Sequence, residues 1–129
     1  MAIQVAWEDG EKQVLLNIYD GVWTMDDFYR AVQQTNALLD SVDHKVNIIF
    51  DVAKSPNFPK GFMGAIRTLS QKPHVNNGIM VIVGMNAFVR VFYDMFTKVY
   101  TKQAVRQPTY MAGNYEEAHA IMARHAEPE

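Results

Sequence analysis

The chain contains no cysteine, which excludes disulfides, thiolate metal sites and thiol nucleophiles. That fits a reducing compartment, and a cytoplasmic location is expected. No stretch reaches the roughly 20 apolar residues that a membrane-spanning helix needs, and the opening MAIQVAWEDG has neither the basic segment nor the apolar core of a signal peptide. No membrane span is therefore expected. The formal net charge is -2, and Lys and Arg form no basic patch, so nothing draws the chain to nucleic acid. Internal repeats, low-complexity segments, a P-loop, a dinucleotide fingerprint and a Gly-x-Ser-x-Gly elbow are also missing. No catalytic residue, cofactor-binding residue or metal ligand is assigned, and the expectation is a protein that is not an enzyme.

What is present is core. At 129 residues and 49% hydrophobic content, the chain can fill one hydrophobic interior, and a single domain over 1–129 is expected. Its centre is Val46 to Gly61, VNIIFDVAKSPNFPKG. The β-branched and aromatic residues to Val52 suit a buried strand. The loop after such a strand is where α/β proteins bind partners and ligands.

Ile3, Val5 and Trp7 alternate with Gln4 and Ala6, and after Asp9-Gly10 Val14, Leu16 and Ile18 alternate with Leu15, Asn17 and Tyr19. The pattern predicts a hairpin with its turn at Asp-Gly, lengthened by Glu8, Glu11 and Lys12. Thr24 is a good helix cap, with Asp27 three positions on. Met25, Phe28, Tyr29, Val32, Thr35 and Leu39 then share one side of a helical wheel. After the central strand, Pro59 suits a first helical position, and Phe62, Ile66 and Leu69 predict a short helix to about Gln71. Gly78 opens a second apolar strand, Ile79 to Val83. Asn86 caps a predicted helix to about Lys102, Gln107 to Met111 is a final strand, and Asn114 with Glu117 caps a closing helix.

Strands alternating with helices predict an α/β fold with a mainly parallel sheet of about five strands, made mixed by the opening hairpin. Right-handed crossovers between strands laid side by side would put the helices mainly on one face. One face is expected to carry Ile3, Val5, Trp7, Val14, Leu16, Ile18, Val46, Ile48, Phe50, Val52, Ile79, Val81 and Val83. The other, with Gln4, Ala6, Leu15, Asn17, Tyr19, Asn47, Ile49, Asp51, Met80 and Ile82, is expected to be partly wet or covered by another chain.

The histidines at 44, 74, 119 and 125 are too scattered for a metal set, and His119 and His125 are spaced wrongly for chelation on one helix face. Asp51, at the strand end, is expected to accept hydrogen bonds from the following backbone rather than to act as acid or base. The predicted helix from Asn86 is more informative. Phe88, Val91, Phe92, Met95 and Val99 make a core stripe, and Val89, Tyr93, Phe96 and Tyr100 widen it beyond what one sheet needs. That second stripe is read as an association surface, as core under a neighbouring helix, or as the wall of a lipid-type ligand pocket.

The order of elements, with a capped helix after Gly21-Val-Trp-Thr, a strand ending in Asp51, the strand to Gly84 and the closing Glu116-Glu117-Ala118 helix, resembles the SpoIIAA-like family. That family is related to STAS domains and, more distantly in shape, to CRAL-TRIO lipid-binding domains. The resemblance covers nearly the whole chain and rests on pattern. It implies a right-handed β-α superhelix and a role in regulatory protein contacts or ligand sensing. The family's phosphorylated serine lies in an Asp-Ser-Ser-Gly motif, whereas here the region reads Asn57-Phe-Pro-Lys-Gly61. The serine pair is absent and the phosphoswitch does not carry over, although Ser55 lies in the same loop and a phosphate there would sit beside Lys54 and Lys60. The expected partner-contact loop is Ser55, Asn57, Phe58, Lys60 and Gly61. The expected partner is another protein or a second copy forming a homodimer; the alternative is a carrier or sensor of a small apolar, lipid-like ligand.

Overall fold

Near the start lie strands β1 (Ile3–Trp7), in which more and less buried positions alternate, and β2 (Val14–Asp20), which buries residues on both faces; they pair antiparallel with Ile3 opposite Tyr19, Val5 opposite Asn17 and Trp7 opposite Leu15. In the connection between them the left-handed residue is Lys12, at φ 58°, rather than Gly10. The computed structural model that gives these details describes residues 2–55, 59, 61, 62, 64, 65, 68, 74–84 and 109–125.

Helix α1 (Met25–Asp40) starts where the sequence places it. Thr24 Oγ1 accepts from Asp27 N at 3.1 Å, and Asp27 Oδ2 accepts from Thr24 N at 2.9 Å, a reciprocal cap. The backbone hydrogen bond from Thr24, helped by the Thr24 hydroxyl and the Arg30 charge, holds the Asp27 carboxyl below its usual range. The helix buries Phe28, Ala31 and Leu39. Tyr29, expected on the packing side, is 47% exposed and lies beside Phe28 instead.

Strand β3 (Val46–Lys54) pairs parallel with β2 and with β4 (Asn77–Val83), and β5 (Thr109–Ala112) adds in parallel to β4. The result is a mixed five-stranded sheet whose order across the sheet is the order along the chain. The ladder slips between Val46 and Ile48, and there the Asn47 side chain accepts from Ile79 N at 2.9 Å in place of a backbone carbonyl. Gly78 makes room for it, since a Cβ would sit 2.7 Å from Asn47 Oδ1. Helix α2 (Tyr115–Arg124) closes the described chain.

The expected one-sided apolar stack does not occur. Residues paired across a ladder share a face, so Val5 with Asn17 and Leu15 with Ile48 put Leu15, Asn17 and Tyr19 on the same side as Ile3, Val5, Val46, Ile48, Phe50 and Val52. That side packs against α1. Val14, Leu16, Ile49, Ile79, Val81 and Val83 face the other way, where Ala118, Ile121 and Met122 of α2 cover them. The described helices therefore lie on both faces, and each face contributes to the core.

Phe62, Gly64, Ala65 and Thr68 are helical, with Ala65 N bonded to Gly61 O, and Phe62 packs on the α1 side against Trp23 and Phe28. Asn57, Phe58 and Lys60, and the predicted helix from Asn86 to Lys102 with Val89, Tyr93, Phe96 and Tyr100, lie outside the described residues. Among the described residues no helix is long and apolar enough to cross a membrane.

Candidate functional site

Strands β2, β3, β4 and β5 all end on one edge of the sheet, and the sequence points to that edge. Gly21 N donates to Lys54 O at 2.8 Å, joining the ends of β2 and β3. Trp23 then turns inward and its Nε1 donates to Ser55 Oγ at 2.7 Å in a buried contact. Around this bond the rings form a close set: Trp23 meets Tyr19 at 5.0 Å and Phe62 edge-on at 5.1 Å, and Phe62 meets Phe28 at 5.0 Å. Edge-to-face pairs of this kind add about 0.5–1.5 kcal/mol each beyond area burial.

Ser55, expected in the partner-contact loop, is buried: its side chain is 0% exposed and its hydroxyl accepts from Trp23. Gly61 is exposed at φ 90°. The β2 to α1 link carries Val22, 89% exposed, and the first turns of α1 carry Tyr29, 47% exposed. These are two of the three large hydrophobic residues exposed among those described; the third, Val75, precedes β4 at the other end of the strands.

On the opposite face, Tyr115 at the start of α2 reaches back to β3. Its hydroxyl donates to Asp51 Oδ2 at 2.8 Å, and Asp51 Oδ1 accepts from Ala53 N at 3.1 Å. Asp51 therefore bonds the backbone after it, as its position in the sequence implies, and also braces α2. Burial first, then the hydrogen bond to Asp51 and the negative charges of Asp51 and Glu8, push the Tyr115 hydroxyl well above its ordinary titration range. A phenol held protonated is a poor nucleophile and base, so the pair is suited to holding elements together.

His119 Nε2 lies 2.9 Å from Glu8 Oε1, tying α2 to the hairpin, while His125 stacks on Tyr110 at 4.4 Å. His74 pairs with Asp40, and His44 contacts the Lys45 carbonyl. Among the described residues no group of three His, Cys, Asp or Glu side chains is placed to hold a metal. Sequence reasoning gave Val22 and Trp23 no role and Tyr115 only a place in the apolar stripe of its helix. The signal for Trp23 was its position directly before the Thr24 cap, from which it packs on Phe28 in the first turns of α1, ring centroids 6.2 Å apart.

No family model matches the chain, and no curated protein matches its sequence.

Proposed function

We propose that this protein is a non-catalytic, cytoplasmic, partner-binding module of the SpoIIAA-like kind, and that it engages another protein or a second copy of itself through the edge where the parallel strands end. The element order supports the family reading: a hairpin, a capped helix, parallel strands in chain order and a closing helix. The observation that carries the functional reading is Val22 and Tyr29, exposed on that edge above a backbone fixed by Trp23 and Ser55. Exposed apolar side chains on a rigid support suit an anchor for a partner, because little ordering entropy remains to be lost on binding.

The test is site-specific photocrosslinking in the cells that make the protein. A benzophenone side chain at position 22 is expected to give a discrete adduct, at twice the chain mass if the partner is a second copy, while the same probe at the exposed Ala120 of α2 gives none. Equal labelling at the two positions, or none at 22, would sink the reading.

The carrier reading has one observation in its favour. Asn17 is 3% exposed, and its Nδ2 has no hydrogen-bond partner in a face that also holds the half-buried Val5 and Phe50. A small apolar molecule with an acceptor would satisfy it. Native mass spectrometry of protein from its own cells decides this, since a carrier retains a bound mass and an empty chain does not.

A further inference from the structure

Helix α1 ends at Asp40, where Ser41 N and Oγ donate to Leu38 O and Val42 N lies 3.5 Å from Leu39 O. Asn76, in the turn before β4, adds donors from outside the helix and ties this end to the sheet: its Nδ2 lies 3.0 Å from Leu39 O and 3.0 Å from Val42 O in the connection that follows. Asn76 is itself held on both sides. Its carbonyl accepts from Val46 N at 2.8 Å, and its N–H donates to His74 Nδ1 at 3.0 Å.

That last bond fixes the chemistry of the ring. An imidazole nitrogen that accepts a hydrogen bond carries no hydrogen, so the proton of neutral His74 is on Nε2. Nε2 lies 2.6 Å from Asp40 Oδ1 and donates to it. The neutral ring satisfies both neighbours; the charged ring cannot, because a hydrogen on Nδ1 would meet the N–H of Asn76 head on.

We infer that His74 is a proton-operated latch on the end of α1. Neutral, it closes the turn from residue 74 to 77 and holds Asn76 against the helix terminus. Protonated, it lets go of the Asn76 amide, and the two bonds from Asn76 Nδ2 are lost with it.

The groups around the ring favour this outcome. From α1 it is faced by Asp40, 2.6 Å from Nε2, which keeps its bond to that nitrogen when the ring is charged, so the contact given up is the one on Nδ1. The connection between α1 and β3 carries Asp43, His44 and Lys45; none of them bonds to the ring, and His44 is turned to the Lys45 carbonyl. The starts of β3 and β4 bring Val46, Asn47, Asn76 and Asn77, all uncharged. The His74 side chain is itself 15% exposed, which gives solvent protons a path to it.

The experiment is nitrogen-15 NMR on the full chain between about pH 7.5 and 5, the span in which histidines take up protons. At the upper end His74 is expected as the Nε2–H tautomer. On acidification the protection of the Asn76 amide, corrected for the intrinsic pH dependence of exchange, is expected to fall about tenfold while that of Phe28 holds. His74→Asn keeps an acceptor two residues before the Asn76 N–H, as in an Asx turn, and does not titrate, so it should keep the latch shut throughout. Asp40→Asn removes the facing charge but leaves Nδ1 to titrate, and should retain the response. An Nδ1–H tautomer in the neutral protein, constant Asn76 protection in the wild type, an equal response in His74→Asn, or loss of the response in Asp40→Asn would each overturn the latch.

Discussion

Gly84 follows β4 at φ 82°, and a Cβ there would lie 2.5 Å from Ala53 Cβ and 2.8 Å from its Cα. Both the left-handed backbone and the contact oppose any side chain, and the obstacle is partly backbone that cannot swing away. Gly84→Ala is expected to lower stability by about 2–4 kcal/mol, combining overpacking with backbone strain, read as a shift in the urea unfolding midpoint. In contrast, substitution at Gly10, which has open space around it and no positive φ, should change little. Single residues were the hardest scale to read from the chain. A serine before a proline looks like a turn residue, and Ser55 is one of the most buried side chains because an indole across the edge needs an acceptor. Asn17 looks like a strand's wet side and lies in the interior, accepting from Thr35 of α1 at 3.4 Å.

Helix starts were legible because a cap is chemistry between neighbours in sequence. Thr24 with Asp27 behaves as its spacing implies. Asn114 does too, accepting from Glu117 N at 2.8 Å, but Glu117 reaches one residue further back and accepts from Gly113 N at 3.1 Å rather than closing on Asn114. Asn114→Ala is expected to cost about 1 kcal/mol. Since α2 covers Val14, Ile49, Val81 and Val83, that loss should appear both in the thermal midpoint and as faster amide exchange along the helix. The facing of the strands was not legible, for a physical reason. A parallel strand covered on both sides has no wet side, so Val14-Leu15-Leu16, Ile48-Ile49 and Ile79 to Val83 show no alternation that would fix which residue points where. Register decides it, and the deciding pairs, Val5 with Asn17 and Leu15 with Ile48, join residues far apart in the chain. The edge that carries Val22 was only half legible: the loop after β3 stands out by its prolines, whereas its neighbour across β2 comes into view once the strands are side by side.

For the molecule as a whole, two phenols among the described residues tie its stability to alkaline pH. Burial raises the titration of Tyr19, and burial with the Asp51 bond raises that of Tyr115. In the unfolded chain both release protons near pH 10, while the folded chain keeps them. The folded state therefore binds more protons above that pH, so its stability is fully present below about pH 10 and is lost as pH rises toward the native titration. Thermal midpoints measured from pH 9 to 12 should decline, and Tyr115→Phe should make the decline shallower. A decline unchanged in both Tyr115→Phe and Tyr19→Phe would remove these hydroxyls as its cause.

The sheet is laid down in the order in which the chain is written, and this bears on its birth at the ribosome. Each strand that emerges finds its neighbour already made, so the nascent chain can extend its sheet from the first hairpin outward without waiting for a distant segment to complete it. Among the described strands β5 is the last to pair, and α2 follows directly to cover the face beside it.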